Sequence, residues 1–252
     1  MSSNKIPLEI LPSTPDKYAE VLALLQKYEV QAVSIPDKSS KVDNLHFAAY
    51  LRTHFTCEVT VHYSLVHHYN RDIHRITQEF DAYVRRSLDL GISRILVVSG
   101  SALRRHTVVE LLELYEQPAA LQLFAAFNPY LPDVTRELAR AKRKLPYVQG
   151  LYLQVGEDID TLRNSLNRLR PLLDNHDLYG CLLYPTLQFQ TRFRFRPWKG
   201  VFLSPEYLRD LNYARKIYQN YARTYRDLAV TPLLELFPLQ EKSLQNALKN
   251  LC

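Results

Sequence analysis

The chain has 252 residues, a net charge of +6, 46% hydrophobic residues, 6 glycines and 3 cysteines. This composition fits a globular chain and excludes a disordered, collagen-like or disulfide-stapled one. No apolar run approaches the roughly 20 residues that span a bilayer, and neither common glycine-rich phosphate loop occurs.

Eight short apolar, β-branched runs recur along the chain. In order they are Ile6-Pro7-Leu8-Glu9-Ile10, Gln31-Ala32-Val33-Ser34-Ile35, Glu58-Val59-Thr60-Val61-His62 and Ile95-Leu96-Val97-Val98-Ser99. The later four are Leu123-Phe124-Ala125-Ala126-Phe127, Gly150-Leu151-Tyr152-Leu153-Gln154, Cys181-Leu182-Leu183-Tyr184 and Pro232-Leu233-Leu234-Glu235-Leu236. Continuous apolar runs suit strands covered on both faces, as in parallel sheets. Each run is followed by a helix-like stretch. The pattern predicts an α/β fold, a (β/α)8 TIM barrel forming a single domain over residues 1–252, with its chemistry on the rim where the strands end.

The helix signals follow in chain order. Thr14-Pro15 reads as an N-cap with proline at the first helical position, ahead of Tyr18, Val21, Leu22, Leu25 and Tyr28. Ile73, Ile76, Phe80, Val84 and Leu88 form the next stripe, and Gly91 stands where a C-terminal glycine belongs. Thr107 and Glu110 fit a capping box. Asp133 caps a basic helix running to Lys144, and Leu162, Leu166, Leu169 and Leu173 mark another. Ser204-Pro205 opens a long tyrosine-rich helix, and Leu244, Leu248 and Leu251 finish the chain. Residues 186–200 break the pattern and read as a long basic and aromatic loop on the rim.

Polar residues at strand ends are the first candidates for chemistry. Glu9 lies in an apolar strand, where a partly desolvated carboxylate suits a general acid; a structural carboxylate paired with a buried arginine is the alternative. His62 ends the third run and could contact a ligand or a metal. His67, His68 and His74 follow it without a familiar ligand spacing, so no metal is expected, and His67 and His68 read as a solvated loop. Gln154 ends the sixth run, where a glutamine often satisfies neighbouring backbone. Ser99-Gly100-Ser101 allows close approach of a ligand to the backbone, or is an ordinary turn. Arg136, Arg140, Lys142, Arg143 and Lys144 make a solvated basic face or hold a phosphate. Phe189, Phe193 and Phe195 alternate with Arg192, Arg194 and Arg196 ahead of Trp198. As a strand, that segment would carry rings on one face and arginines on the other, to bind single-stranded nucleic acid, a flat anionic ligand, or simply the barrel itself.

The three cysteines, Cys57, Cys181 and Cys252, read as reduced thiols of a cytoplasmic protein, and the first residues lack the apolar core of a signal peptide. No membrane partner is expected.

Several of these segments resemble the methylenetetrahydrofolate reductases. Leu8-Glu9-Ile10-Leu11-Pro12 is similar to that family's Glu-Phe-Phe-Pro opening, and Val61-His62-Tyr63-Ser64 to its His-Leu-Thr segment. The run from Leu90 to Gly100 follows its Leu-Gly-Ile-Arg-Asn-Ile-Leu-Ala-Leu-x-Gly segment, and Ala125-Ala126-Phe127-Asn128-Pro129-Tyr130 resembles its Ala-Ala-x-Asn-Pro-Phe. Lys142-Arg143-Lys144 matches its basic helix, and Gln154 its strand-six glutamine. Two departures stand out. Gly100-Ser101 replaces the family's Gly-Asp, and its Tyr-Pro-Glu-x-His loop is absent.

The resemblance implies hydride transfer from NAD(P)H, through FAD or without a flavin, to 5,10-methylenetetrahydrofolate, giving 5-methyltetrahydrofolate. Glu9 would be the general acid. Gln154 and Ser101 would bind the folate, and His62, Gly100, Ser101, Asn128, Arg143 and Lys144 the cofactor. To these we add Arg192 and Arg194 as attractors of the anionic folate tail. The expected partner is a small-molecule folate. A barrel acting only as a binding or partner protein, and single-stranded nucleic-acid binding, are the alternatives; a homo-oligomer is left open.

Overall fold

The structure is a computed structural model, described for residues 6–12, 14–37, 43–68, 70–99 and 106–251. Gly100 and Ser101, two of the expected site residues, lie outside the described residues, as does Cys252.

Eight strands follow one another in chain order around a closed barrel. They are β1 (Leu8–Glu9), β2 (Ala32–Ile35), β3 (Glu58–Ser64), β4 (Arg94–Val98), β5 (Gln122–Phe127), β6 (Gly150–Leu153), β7 (Asp177–Leu183) and β8 (Thr231–Glu235). Each overlaps one of the eight apolar runs, and the pairings β1–β2, β2–β3, β3–β4, β4–β5 and β7–β8 are parallel. β1 is short, but its ladder continues one residue further, where the Ile10 N–H donates to the Ser34 carbonyl at 2.9 Å.

Between the strands lie α1 (Tyr18–Lys27), α2 (Asn44–His54), α3 (Ile73–Asp89), α4 (Val108–Leu114), α5 (Val134–Lys144) and α6 (Ile159–Leu169). They are followed by α7 (Leu187–Phe195), α8 (Pro205–Arg209), α9 (Leu211–Asp227) and α10 (Glu241–Lys249). The caps explain where several begin and end. Thr107 and Glu110 form both halves of a capping box on α4. Asp72 accepts from the Arg75 N–H at the start of α3, and Gly91 takes φ 71° just past its end. Ile76, Phe80 and Val84 are the buried apolar positions of α3.

Two expectations about the helices do not hold. Ser204-Pro205 opens only the five-residue α8. Asp210 then leaves helical geometry and accepts from the N–H groups of Asn212 and Tyr213 at 2.7 and 3.1 Å, capping a new helix, α9. The segment 186–200 is not a loop over most of its length, nor a strand: Thr186 accepts from the Phe189 N–H at 3.0 Å and starts α7. The alternation of Phe and Arg imitates a two-residue period. Phe189 and Phe193, however, are also four apart, and burying that pair on one helix face decides the outcome. The two rings are tilted against each other and both pack edgewise against Trp198, which in turn meets Phe237.

The chain forms two compact units: Met1–Ala126 with Arg143–Gly150, and Phe127–Lys142 with Leu151–Cys252. The first is built on β1 to β4 with α1 to α4, and its core holds Phe47, Phe80 and Phe124. The second holds β7, β8 and α6 to α10 around Tyr225 and Phe189. No described helix is long and apolar enough to cross a membrane.

Candidate functional site

In the first unit, Tyr63 of β3 packs against Phe80 and Tyr83 of α3. Side chains alternate along a strand, so Thr60, His62 and Ser64 point to the opposite, inner face. The parallel register puts Ser34 beside Thr60, and Glu9 beside Ser34, on that same face. His62 and Ser34 are hydrogen-bonded, imidazole Nε2 to hydroxyl Oγ, at 2.7 Å, and both are buried. Glu9 is only 6% exposed. A carboxyl group, a hydroxyl and an imidazole therefore share one buried face at the carboxyl ends of β1, β2 and β3, where barrels keep their chemistry.

The amino end of this face is filled by a polar layer. Arg94 donates to Thr60 Oγ1 at 3.3 Å and to Gln122 at 3.1 Å, while its guanidinium lies 4.4 Å from the Phe124 ring centroid. That layer is packed core, leaving Glu9, Ser34 and His62 nearer the chemical end.

The rim above β2 and β3 differs from the expected solvated histidine loop. Asp37 Oδ2 accepts from the Ser64 N–H at 3.1 Å, and its other oxygen pairs with His67 at 3.4 Å. His68 donates to Glu79 at 2.7 Å and stacks on Tyr63 with centroids 5.0 Å apart, and Arg71 completes the pair with Glu79. Burial pushes the Asp37 carboxyl above the usual carboxylate range, against the pull of His67. Burial also lowers His68, outweighing Glu79. These contacts link residues up to 30 positions apart, so no local pattern announced them. Among the described residues no group of three or more His, Cys, Asp or Glu is placed to hold a metal ion.

In the second unit, Gly180 of β7 faces the Tyr225 ring of α9. Tyr179, Cys181 and Leu183 therefore turn the other way, and Tyr152 stacks on Tyr179 at 4.6 Å. Gln154, two residues beyond Tyr152, follows the same direction; its Oε1 accepts from the Val155 N–H at 2.9 Å. One end of this amide thus satisfies neighbouring backbone, while the NH2 end remains a donor. Leu183 registers with Glu235, a second buried carboxyl group at a strand end. Glu235 has the same signature as Glu9, a lone acid inside an apolar run, and the sequence reading passed over it.

No protein-family profile matches the chain, and no curated protein matches it. Among solved structures, an uncharacterized protein from Clostridium thermocellum that binds two copies of 5-methyl-5,6,7,8-tetrahydrofolic acid superimposes with a TM-score of 0.68. The match covers 98% of this chain and 94% of that chain at 10% identity. The two share a fold. A structure described as native KDPGal reaches a TM-score of only 0.42, at 10% identity over 90% of this chain and 97% of that one, and has no bearing on the site.

The remaining expected residues fall into two groups. Arg192 and Arg194 are exposed on α7. Asn128, Arg143 and Lys144, expected at the flavin, each make contacts within the fold. Asn128 donates to the Gly200 carbonyl at 2.8 Å and accepts from the Tyr130 N–H at 3.1 Å. Arg143 grips Glu113 with two hydrogen bonds of 2.9 and 2.8 Å. Lys144 is buried and donates to the Ala126 carbonyl. These contacts use only part of each cation's donors, and the Arg143 side chain is 58% exposed, so the residues present fit an anionic group such as a flavin phosphate.

Proposed function

We propose that the chain binds a reduced folate and reduces 5,10-methylenetetrahydrofolate with hydride taken directly from NAD(P)H. The observation that carries this reading is the buried face shared by Glu9, Ser34 and His62. The fold shared with a protein that binds 5-methyltetrahydrofolate supports the choice of ligand. The resemblance at Glu9, His62 and Gln154 supports the reaction.

In this reading Glu9 gives its proton to the folate nitrogen that leaves as the five-membered ring opens. The methylene carbon becomes an iminium carbon and accepts hydride, so one proton and one hydride convert it to the methyl group. Burial of Glu9 strengthens its interaction with the reacting nitrogen. Ser34 holds the His62 ring at a fixed angle beside the acid.

A second reading, a folate-binding barrel without redox chemistry, is supported by the fold shared with a protein whose description names only folate binding. One assay separates the two: oxidation of NAD(P)H by the purified chain with 5,10-methylenetetrahydrofolate, with and without added FAD. We expect substrate-dependent oxidation without FAD. Retained folate binding with no oxidation in either condition would establish the second reading, and a strict requirement for FAD would contradict the direct transfer.

A further inference from the structure

A cavity of about 660 Å³ lies wholly within the second unit, at the carboxyl ends of β6 and β7. Its wall runs from Glu157 and Asp158, after β6, to Phe193, Arg194, Phe202, Leu208 and Arg209 on α7, α8 and the chain between them. The volume is that of a small-molecule site.

The chemistry of the wall is uneven. Its acids are already engaged: Glu157 accepts from the Ser204 N–H at 2.8 Å and contacts the Ser204 hydroxyl at 3.1 Å, while Asp158 accepts from the Thr161 N–H and hydroxyl at 2.9 and 2.6 Å. Its cations are not. Among the described residues no carboxylate pairs with Arg194 or Arg209, and Arg194 reaches only the Thr191 hydroxyl, at 3.3 Å. Arg192, Arg196 and Lys199 nearby are exposed, and none of them pairs with a carboxylate among the described residues. Apolar surface is present here too: Phe202 of the wall is 51% exposed, and Phe195, next to Arg194 in the chain, is 86% exposed. Exposed rings beside unpaired guanidinium groups are what a flat ligand with an anionic chain requires.

The geometry points to a binding site in this cavity for a planar aromatic group carrying an anionic chain, the ring against Phe202 and Leu208 and the anions on Arg194 and Arg209. The lining alone carries this assignment, and it does not depend on the reductase reading. Two sources share the chemistry: the aroyl-polyglutamate end of a folate, and a nucleotide.

The chain contains a reporter. Trp198 is its single tryptophan, with its ring 6.0 Å from that of Phe193 on the cavity wall. The full chain is titrated with p-aminobenzoyl-triglutamate and, separately, with AMP, following tryptophan emission. A saturable change with at least one probe is expected, weakened roughly tenfold in the R194A/R209A double variant and unchanged in R136A, which removes an exposed arginine of α5. Saturation by the triglutamate alone identifies the folate tail as the source, and saturation by AMP alone a nucleotide. No saturable change with either probe at millimolar concentration, or equal affinity in the parent and a folded double variant, overturns the site. Neither probe contains a pterin, so this result and that of the turnover assay are independent.

Discussion

Glu9→Gln lowers turnover of 5,10-methylenetetrahydrofolate by at least about 100-fold, the usual contribution of a positioned general acid, while affinity for 5-methyltetrahydrofolate changes by less than about threefold. Glutamine keeps the shape of the side chain in β1 and loses only the transferable proton, so its place beside Ser34 persists. The split follows from the role: a proton donor acts in the transition state, and the methylated product no longer needs its proton. Steady-state kinetics beside a binding isotherm read the two effects separately. An unchanged kcat removes Glu9 from the chemistry, and a loss of both affinity and turnover makes it a binding or structural group instead.

Gly180→Ala destabilises the chain by about 1–3 kcal/mol without touching the first unit's polar face. A Cβ at this position would come within 2.7 Å of Tyr225 Cε1. The ring cannot yield cheaply. Tyr225 is fully buried, and its hydroxyl donates to the Cys181 carbonyl at 3.1 Å, tying α9 to the strand beneath it. Gly156 stands in the same relation to Tyr130, whose hydroxyl bonds to that of Tyr221 at 3.1 Å. Urea denaturation of Gly180→Ala should show a lower midpoint with an unchanged slope. A shift smaller than about 0.5 kcal/mol, the usual range of surface changes, would mean that the ring has room the structure does not show.

How much of this was legible in advance depends on whether the deciding contacts are local. The strands were readable because a strand covered on both faces leaves a continuous apolar run, as in Leu123-Phe124-Ala125-Ala126-Phe127, and needs no partner to be recognised. The ends of α3 and α4 were readable because Gly91 and the Thr107–Glu110 pair act within one turn. α7 was misread because two periods fit six residues, and only the burial of Phe189 and Phe193 against Trp198 chooses between them. The break at Asp210 was missed because the tyrosines on either side suggested one continuous stripe.

For the candidate site, Glu9 and His62 stood out as polar groups in apolar strands, and their shared face follows from strand alternation and register. Their link through Ser34 does not, because Ser34 reads as an ordinary small strand residue until β2 is set beside β3. The same holds for Asp37 with His67, 30 residues apart, and for the cradling of Tyr225 by Gly180. Arg143 and Lys144 show the opposite failure. Their charge was obvious, but Glu113 and the Ala126 carbonyl, which engage them, come from distant parts of the chain.

On the buried face of the first unit, His62 holds a reduced folate beside the acid that protonates it. Isothermal calorimetry with 5-methyltetrahydrofolate tests it most directly, on the parent chain and on His62→Ala and Ser34→Ala. Saturable binding by the parent is expected, weakened at least about tenfold in His62→Ala, the loss of one hydrogen bond to a buried partner, and less in Ser34→Ala, where the imidazole remains but its anchor is gone. Absence of binding by the folded parent at millimolar ligand, or an isotherm that His62→Ala leaves unchanged, contradicts it.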